Sequence, residues 1–162
     1  MQYSWHVEGF AGPAIGVFHK GQSNVAQPQA GIPVTYVADA HALYWFLTKP
    51  RRVGSRARRI LEGAQTGTYT VYVPVIALAE IQFILEREHS PDKLSDFLSR
   101  IDAGGGFEIE DLTRSQVERL PYLGAVPEMH DRMIVALAIE KRAKVLTTDP
   151  EIEDSKLVDV VW

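Results

Sequence analysis

The run Val34-Thr-Tyr-Val-Ala-Asp39-Ala-His-Ala-Leu-Tyr-Trp-Phe-Leu47 decides the architecture. Its opening residues are β-branched, aromatic or small and close on a single acid, the pattern of a short buried strand. Ala40 to Thr48 follows without a linker and is apolar on most sides, as a buried helix is. A strand passing straight into a helix is the first half of a βαβ unit, and the chain beyond it repeats the alternation. Gly54 to Gln65 sets Ala57, Ile60, Leu61 and Ala64 at helical spacing, and Gly67 ends it. Tyr69 to Val73 is a second strand, and Pro74 opens a helix that runs to Glu88. Ser90-Pro91 reads as an N-cap followed by proline at the first helical position, for a helix ending near Gly104-Gly105-Gly106. Phe107 to Asp111 is a third strand, and Thr113 caps a short helix through Leu120. Glu128 or Asp131 begins another helix that ends at Lys141 to Lys144. Val145 to Thr147 and Leu157 to Trp162 supply the last strands. Strands separated by helix-length segments predict an α/β fold: a three-layer α/β/α sandwich with a mainly parallel central sheet.

Residues 1–33 have another texture. They hold five of the twelve Gly, three of the nine Pro and only two charged side chains, Glu8 and Lys20. They read as a Gly/Pro-containing N-terminal extension, loop-rich or disordered, or as translated sequence upstream of the true start. One domain is expected over 34–162. The apolar run from Phe10 to Phe18 is short and broken by Gly12, Pro13 and Gly16, so no export signal is expected. No window approaches the length of a membrane span, and a cytoplasmic protein is expected.

Composition narrows the chemistry. The 162 residues carry 17 Lys plus Arg against 21 Asp plus Glu, a net charge of −4, which excludes binding nucleic acid by bulk charge alone. The absence of cysteine excludes thiol catalysis, a disulfide framework and any zinc or iron–sulfur site that needs Cys.

Four carboxylates stand where a solvated surface does not put them. Asp39 ends the first strand and Asp149 follows the strand Val145-Leu-Thr147. Both therefore lie beyond carboxyl ends of strands, where open α/β sheets bind ligands. Glu80 is the sole charge within Val75 to Leu85, and a buried carboxylate is costly unless it is paired or bound to metal. Asp131 precedes the apolar run Met133 to Ile139, with Glu128 one turn earlier. Each has a plainer role open to it: helix N-cap for Asp39 and Asp131, turn start for Asp149 before Pro150, an arginine partner for Glu80, a first-turn acid for Glu128. Carboxylates converging in one cleft would raise each other's pKa, and a hard divalent cation relieves that. All-oxygen ligation suits Mg2+ or Mn2+, and such sites serve phosphoryl chemistry.

Four segments carry a resemblance. Tyr36 to Leu47, Pro74-Val-Ile-Ala-Leu-Ala-Glu80-Ile, Glu128-Met-His-Asp131-Arg-Met-Ile-Val-Ala-Leu-Ala138 and Val145-Leu-Thr147-Thr-Asp149-Pro resemble, in order and spacing, the four acidic motifs of PIN-domain ribonucleases, here in the form found in VapC-like toxins of toxin–antitoxin pairs. The resemblance spans 34–162. It implies that Asp39, Glu80, Asp131 and Asp149 form a catalytic, metal-binding quartet holding one or two Mg2+ or Mn2+ ions. Thr147 takes the place of a supporting hydroxyl. Glu128 stands where many relatives have Asp and is a supporting candidate. The resemblance also implies endoribonuclease activity, an antitoxin partner, often a small DNA-binding protein, and homodimers. Water activated by the metal would attack the scissile phosphorus and leave 5′-phosphate and 3′-hydroxyl ends.

Lys49, Arg51, Arg52, Arg56, Arg58 and Arg59 form a run with no acid before Glu62. It is either a solvated helix face or a surface for the RNA backbone. His41 is expected to pack on the first helix, and His130 is a candidate proton donor or supporting group. Tyr44, Trp45 and Phe46 are expected mainly in the core, with one ring available for base stacking. Setting the quartet aside leaves acids and Lys plus Arg equal in number, so the net negative charge is itself the size of a metal site. Two other readings are a PIN-like scaffold that binds RNA or protein without catalysis, and a Mg2+-dependent phosphatase. The phosphatase needs a second Asp two residues after the strand-end Asp, where this chain has His41. A receiver domain needs a Lys at a late strand end, and Lys144 precedes its strand instead.

Overall fold

The structure, a computed structural model, describes residues 33–162; the extension expected at 1–33 lies, except for Pro33, outside the described residues. All five expected strands form: β1 (Tyr36–Ala38), β2 (Val71–Pro74), β3 (Phe107–Glu110), β4 (Lys144–Leu146) and β5 (Val160–Val161). They pair in the order β3-β2-β1-β4-β5, and every pair is parallel. The helices are α1 (Ala40–Thr48), α2 (Ser55–Gln65), α3 (Val75–Arg87), α4 (Leu94–Asp102), α5 (Arg114–Arg119), α6 (Met129–Lys141) and α7 (Pro150–Ser155).

Alternation along the strands feeds two apolar layers. Tyr36 and Ala38 of β1, with Val71, Val73, Leu146 and Val161, face α1, α2, α3 and α4. Val37 and Val145 point the other way, against Ile134, Leu137 and Ala138 of α6. A third cluster seats Val135 and Ala136 of α6 against Leu123, Val126 and Ile152. That is why α6 is apolar all round: it is covered on both sides. Each fully buried Val, Leu or Ile there contributes about 1.5–3 kcal/mol. The resulting fold is the α/β/α sandwich with a parallel sheet that the sequence predicts.

Two expectations fail locally. Ser90-Pro91 does not start α4; the helix begins at Leu94, and the carboxylate of Asp96 instead accepts the Lys93 N–H at 3.0 Å. The Ser90 hydroxyl closes a small turn by accepting the Asp92 N–H at 3.2 Å. Asp149-Pro150 is more than a turn. It opens α7, where the Asp149 carboxylate accepts the N–H groups of Glu151 and Ile152 at 2.7 and 3.4 Å. Thr113 caps α5 as expected, accepting the Gln116 N–H at 3.3 Å.

Gly106 enters β3 under tight restraint. Its N–H donates to the Ala64 carbonyl and its carbonyl accepts the Val71 N–H, each at 2.8 Å. A Cβ there would be driven into the Tyr69 carbonyl and would sit 3.0 Å from the Ala64 carbonyl, both backbone atoms that cannot swing away. Gly106→Ala is expected to cost about 1–3 kcal/mol. The melting temperature followed by circular dichroism should drop by roughly 3–10 °C; an unchanged melt would contradict this packing.

The strand order positions the site. From β1 the chain builds outward through β2 and β3 on one side, then returns to place β4 and β5 on the other. Connections leaving the carboxyl ends of β1 and β4 therefore diverge, and a crevice opens between them. Among the described residues no helix is long and apolar enough to cross a membrane.

Candidate active site

Asp39 and Thr147 are the residues that leave β1 and β4 at this crevice, and both are buried, Asp39 to 6% exposure. The Thr147 hydroxyl donates to Asp39 Oδ2 at 2.8 Å and accepts the Asp149 N–H at 3.0 Å. One hydroxyl thus ties the ends of two neighbouring strands and fixes two of the four acids. Asp39 occupies the N-cap position of α1 without meeting the geometry of a side-chain cap. Burial pushes its pKa up, against the pull of the Thr147 hydrogen bond, the nearby His41 and the backbone N–H groups of His41 and Ala40.

Glu80 projects from the middle of α3. Its Oε2 is buried and has no hydrogen-bond partner. Burial raises its pKa, and Asp39 and Glu128 raise it further, while His41 and His130 draw it down. No arginine pairs with it among the described residues. Asp131 lies in the first turn of α6, three residues after Glu128, which holds the N-cap position without capping through its side chain. Burial lifts the Asp131 carboxyl to a pKa of about 7, with added repulsion from Asp149, Asp39, Glu80 and Glu128. The four acids and Glu128 are therefore within one another's fields.

The tightest group is not the expected quartet. Carboxylate oxygens of Asp131, Asp149 and Glu151 lie within 4.8 Å of one another, close enough to share a metal ion. Sequence reasoning misses Glu151 because it takes Asp149-Pro150 only for a turn. An Asp N-cap followed by Pro at N1 is also a helix start, and that signal places Glu151 in the first turn beside Asp149. Oxygen-only donors, crowded and without a Lys or Arg ion pair among the described residues, with Glu80 Oε2 buried and orphaned beside them, fit a hard divalent cation.

The six cations do not present one surface. The Lys49 ammonium pairs with Glu88 at 2.8 Å, and Tyr44 donates to the same carboxylate at 2.7 Å. Arg58 spends its guanidinium on the carbonyls of Pro50 and Val53, holding the α1–α2 connection. Arg52 lies over the Trp45 ring, 5.5 Å from its centre, and Arg51 is exposed beside it in a 3-10 turn, Pro50–Arg52. Arg56 and Arg59 line a cleft of about 620 Å³ with Tyr36 and Lys144. Those two residues begin β1 and β4, so this cleft lies at the end of the strands away from the acids. Tyr44 and Phe46 are buried, Tyr44 stacked on Phe97 at 6.0 Å, whereas Trp45 is half-buried against His41 and Trp162.

The profile of the PIN domain matches residues 36–156. No curated protein matches the chain by sequence. Among solved structures, it is similar to VapBC2 from Rickettsia felis bound to a DNA fragment from its promoter, at 18% identity and a TM-score of 0.58, covering 79% of this chain and 98% of that one. It is also similar to VapC20 of Mycobacterium tuberculosis, a sarcin–ricin-loop-cleaving toxin (16% identity, TM-score 0.57, 78% and 98% covered). FitAcB from Neisseria gonorrhoeae matches likewise (16%, TM-score 0.59, 79% and 97%).

Proposed function

Because the chain belongs to the PIN-domain family, we propose that it is a divalent-metal-dependent endoribonuclease that serves as the toxin of a toxin–antitoxin pair. The observation that carries the reading is the crevice itself: acids drawn together at the sheet's switch point, with the buried Oε2 of Glu80 left without a partner. Asp39, Glu80, Asp131 and Asp149 would hold Mg2+ or Mn2+, one ion or two, with Glu151 added to the set and Glu128 at its margin. When bound, such a cation polarises the phosphate and lowers the pKa of a coordinated water.

The chain's own groups do the positioning. Thr147 locks Asp39 in orientation. The first-turn N–H groups of α7 fix one oxygen of Asp149, leaving the other for the site. Burial on α3 and α6 keeps Glu80 and Asp131 in an environment where charge is weakly screened. Arg51 and Arg52 keep exposed guanidinium groups without an ion-pair partner among the described residues and remain for phosphate contact, whereas Arg56 and Arg59 stand at the opposite end of the strands.

The partner and location follow from the same reading. The similar structures include complexes from toxin–antitoxin systems, so an antitoxin that covers the crevice, homodimerisation and a cytoplasmic site of action are proposed here too. Incubation with total RNA and Mn2+, followed by mapping of cut ends, tests the activity. Fragments with 5′-phosphate and 3′-hydroxyl ends are expected; 2′,3′-cyclic phosphates, or full activity in excess EDTA, would overturn it.

Metal binding should also show in stability. In the folded metal-free protein Asp131 holds its proton up to about pH 7, whereas the unfolded chain releases it near the ordinary Asp value of 3.8. Its contribution to stability is thus greatest below the unfolded value and is lost as pH rises through 7. A cation needs the deprotonated form, so added Mn2+ should raise the melting temperature by about 5–10 °C at roughly pH 8 and by far less at roughly pH 5. Equal shifts at both pH values would contradict the shared acidic site.

A further inference from the structure

Glu80 has a second neighbourhood. It forms one wall of a groove of about 400 Å³ along α3 that Phe83, Arg87, His41 and His130 also line. Phe83 is 71% exposed, which leaves a whole aromatic ring in solvent beside a cluster of acids. Glu80, Phe83 and Arg87 are spaced three and seven residues along one helix face. At 1.5 Å per residue they stand about 4.5 and 10 Å apart along the axis from Glu80. Ala79, one turn before Phe83 and also lining the groove, leaves room above the helix for a flat group to lie against the ring. Arg87 is exposed and makes no ion pair among the described residues.

We propose that this groove is a nucleotide subsite in which Phe83 stacks on an unpaired base next to the scissile phosphate and Arg87 takes the following phosphate. The inference rests on the nuclease reading and adds to it the two side chains that would grip the strand beside the acids. The order of groups along α3 argues for it. An acidic centre that handles one phosphate, then an apolar ring, then a cation, follows the order phosphate, base, phosphate of a single strand, with long side chains at both ends to adjust the reach. The groove and the crevice share Glu80 as a wall, so a strand held at the acids continues into it. A base inside a duplex cannot expose its face to Phe83, which limits the site to unpaired residues.

The test uses the whole chain, a short oligoribonucleotide and Mn2+. Phe83→Ala should raise KM about tenfold, with kcat within about twofold of wild type, and Arg87→Gln should raise KM and weaken its salt dependence. Tyr122→Ala, which removes another largely exposed ring outside the groove, should change neither. In an Asp131→Asn background, Phe83→Trp should show indole fluorescence quenched by the single strand but not by the same strand carrying an abasic site opposite the ring. Active enzyme whose KM is the same in Phe83→Ala and Tyr122→Ala would sink the subsite and leave the nuclease reading standing. Base-dependent quenching in a protein that cleaves no RNA would do the reverse. An unchanged KM with a halved solution mass in Phe83→Ala would show a second copy of the chain covering the groove, and that too would overturn the proposal.

Discussion

Replacing Asp131 with Asn should abolish cleavage, by about a thousandfold or more, and at the same time make the metal-free protein harder to unfold. The two effects have one cause. Asp131 is raised to a pKa of about 7 by burial and by four neighbouring carboxylates, so its charge is unwelcome until a cation arrives. Asn keeps the shape and removes the charge. In EDTA near neutral pH the variant should melt several degrees above wild type, because the folded state no longer carries that repulsion. In Mn2+ the order should reverse, since the variant has lost a ligand. Melting curves with and without metal, beside an RNA cleavage assay, read both effects. A variant that cleaves normally, or that melts lower than wild type in EDTA, would contradict the role given to Asp131.

Thr147→Val should act in the opposite sense on stability. It removes the hydroxyl that donates to Asp39 and accepts from the Asp149 N–H, and it leaves a 6% exposed carboxylate without its side-chain donor. The loss of a buried hydrogen bond to a charged group costs about 1–3 kcal/mol, which is roughly 3–10 °C in melting temperature for a chain of this size. Cleavage should fall about 10- to 100-fold, as it does when a group that orients a metal ligand is lost. Thr147→Ser, which retains the hydroxyl, should recover most of both. Recovery by Ser and not by Val separates the hydrogen bond from the packing of the γ-methyl. Equal damage in the two variants would mean that Thr147 serves the core alone.

Much of the fold and the site is legible because burial and chemistry conflict in the sequence. An acid inside the apolar run of α3 is hard to explain as surface, so Glu80 stands out from the pattern of residues alone, and Asp131 stands out by opening the apolar run of α6. Asp39 and Asp149 stand out by following strands. What stays hidden depends on contacts between distant residues. The Ser90-Pro91 pair has the local signature of a helix start, yet the N-cap falls three residues further on at Lys93, whose N–H the Asp96 carboxylate accepts. Arg58 reads as one more surface cation, but the fold bends the chain so that carbonyls at Pro50 and Val53 claim it. The cleft beside Arg56 and Arg59 lies at the wrong end of the strands to adjoin the acids, which spacing along the chain could not reveal. Phe83 passes for a core residue because the helix is apolar on nearly every side. Only packing shows which side is left bare.

Asp149 serves two masters, the crevice and the first turn of α7, and this has an evolutionary consequence. Asn is as good an N-cap as Asp, so the exchange removes a negative charge from the site while leaving the helix start intact. If Asp149 holds a metal as proposed, one such exchange would silence the chemistry without loss of shape. A chain so altered would keep the outer surface that the proposed partner would grip, and could go on titrating it with no activity left.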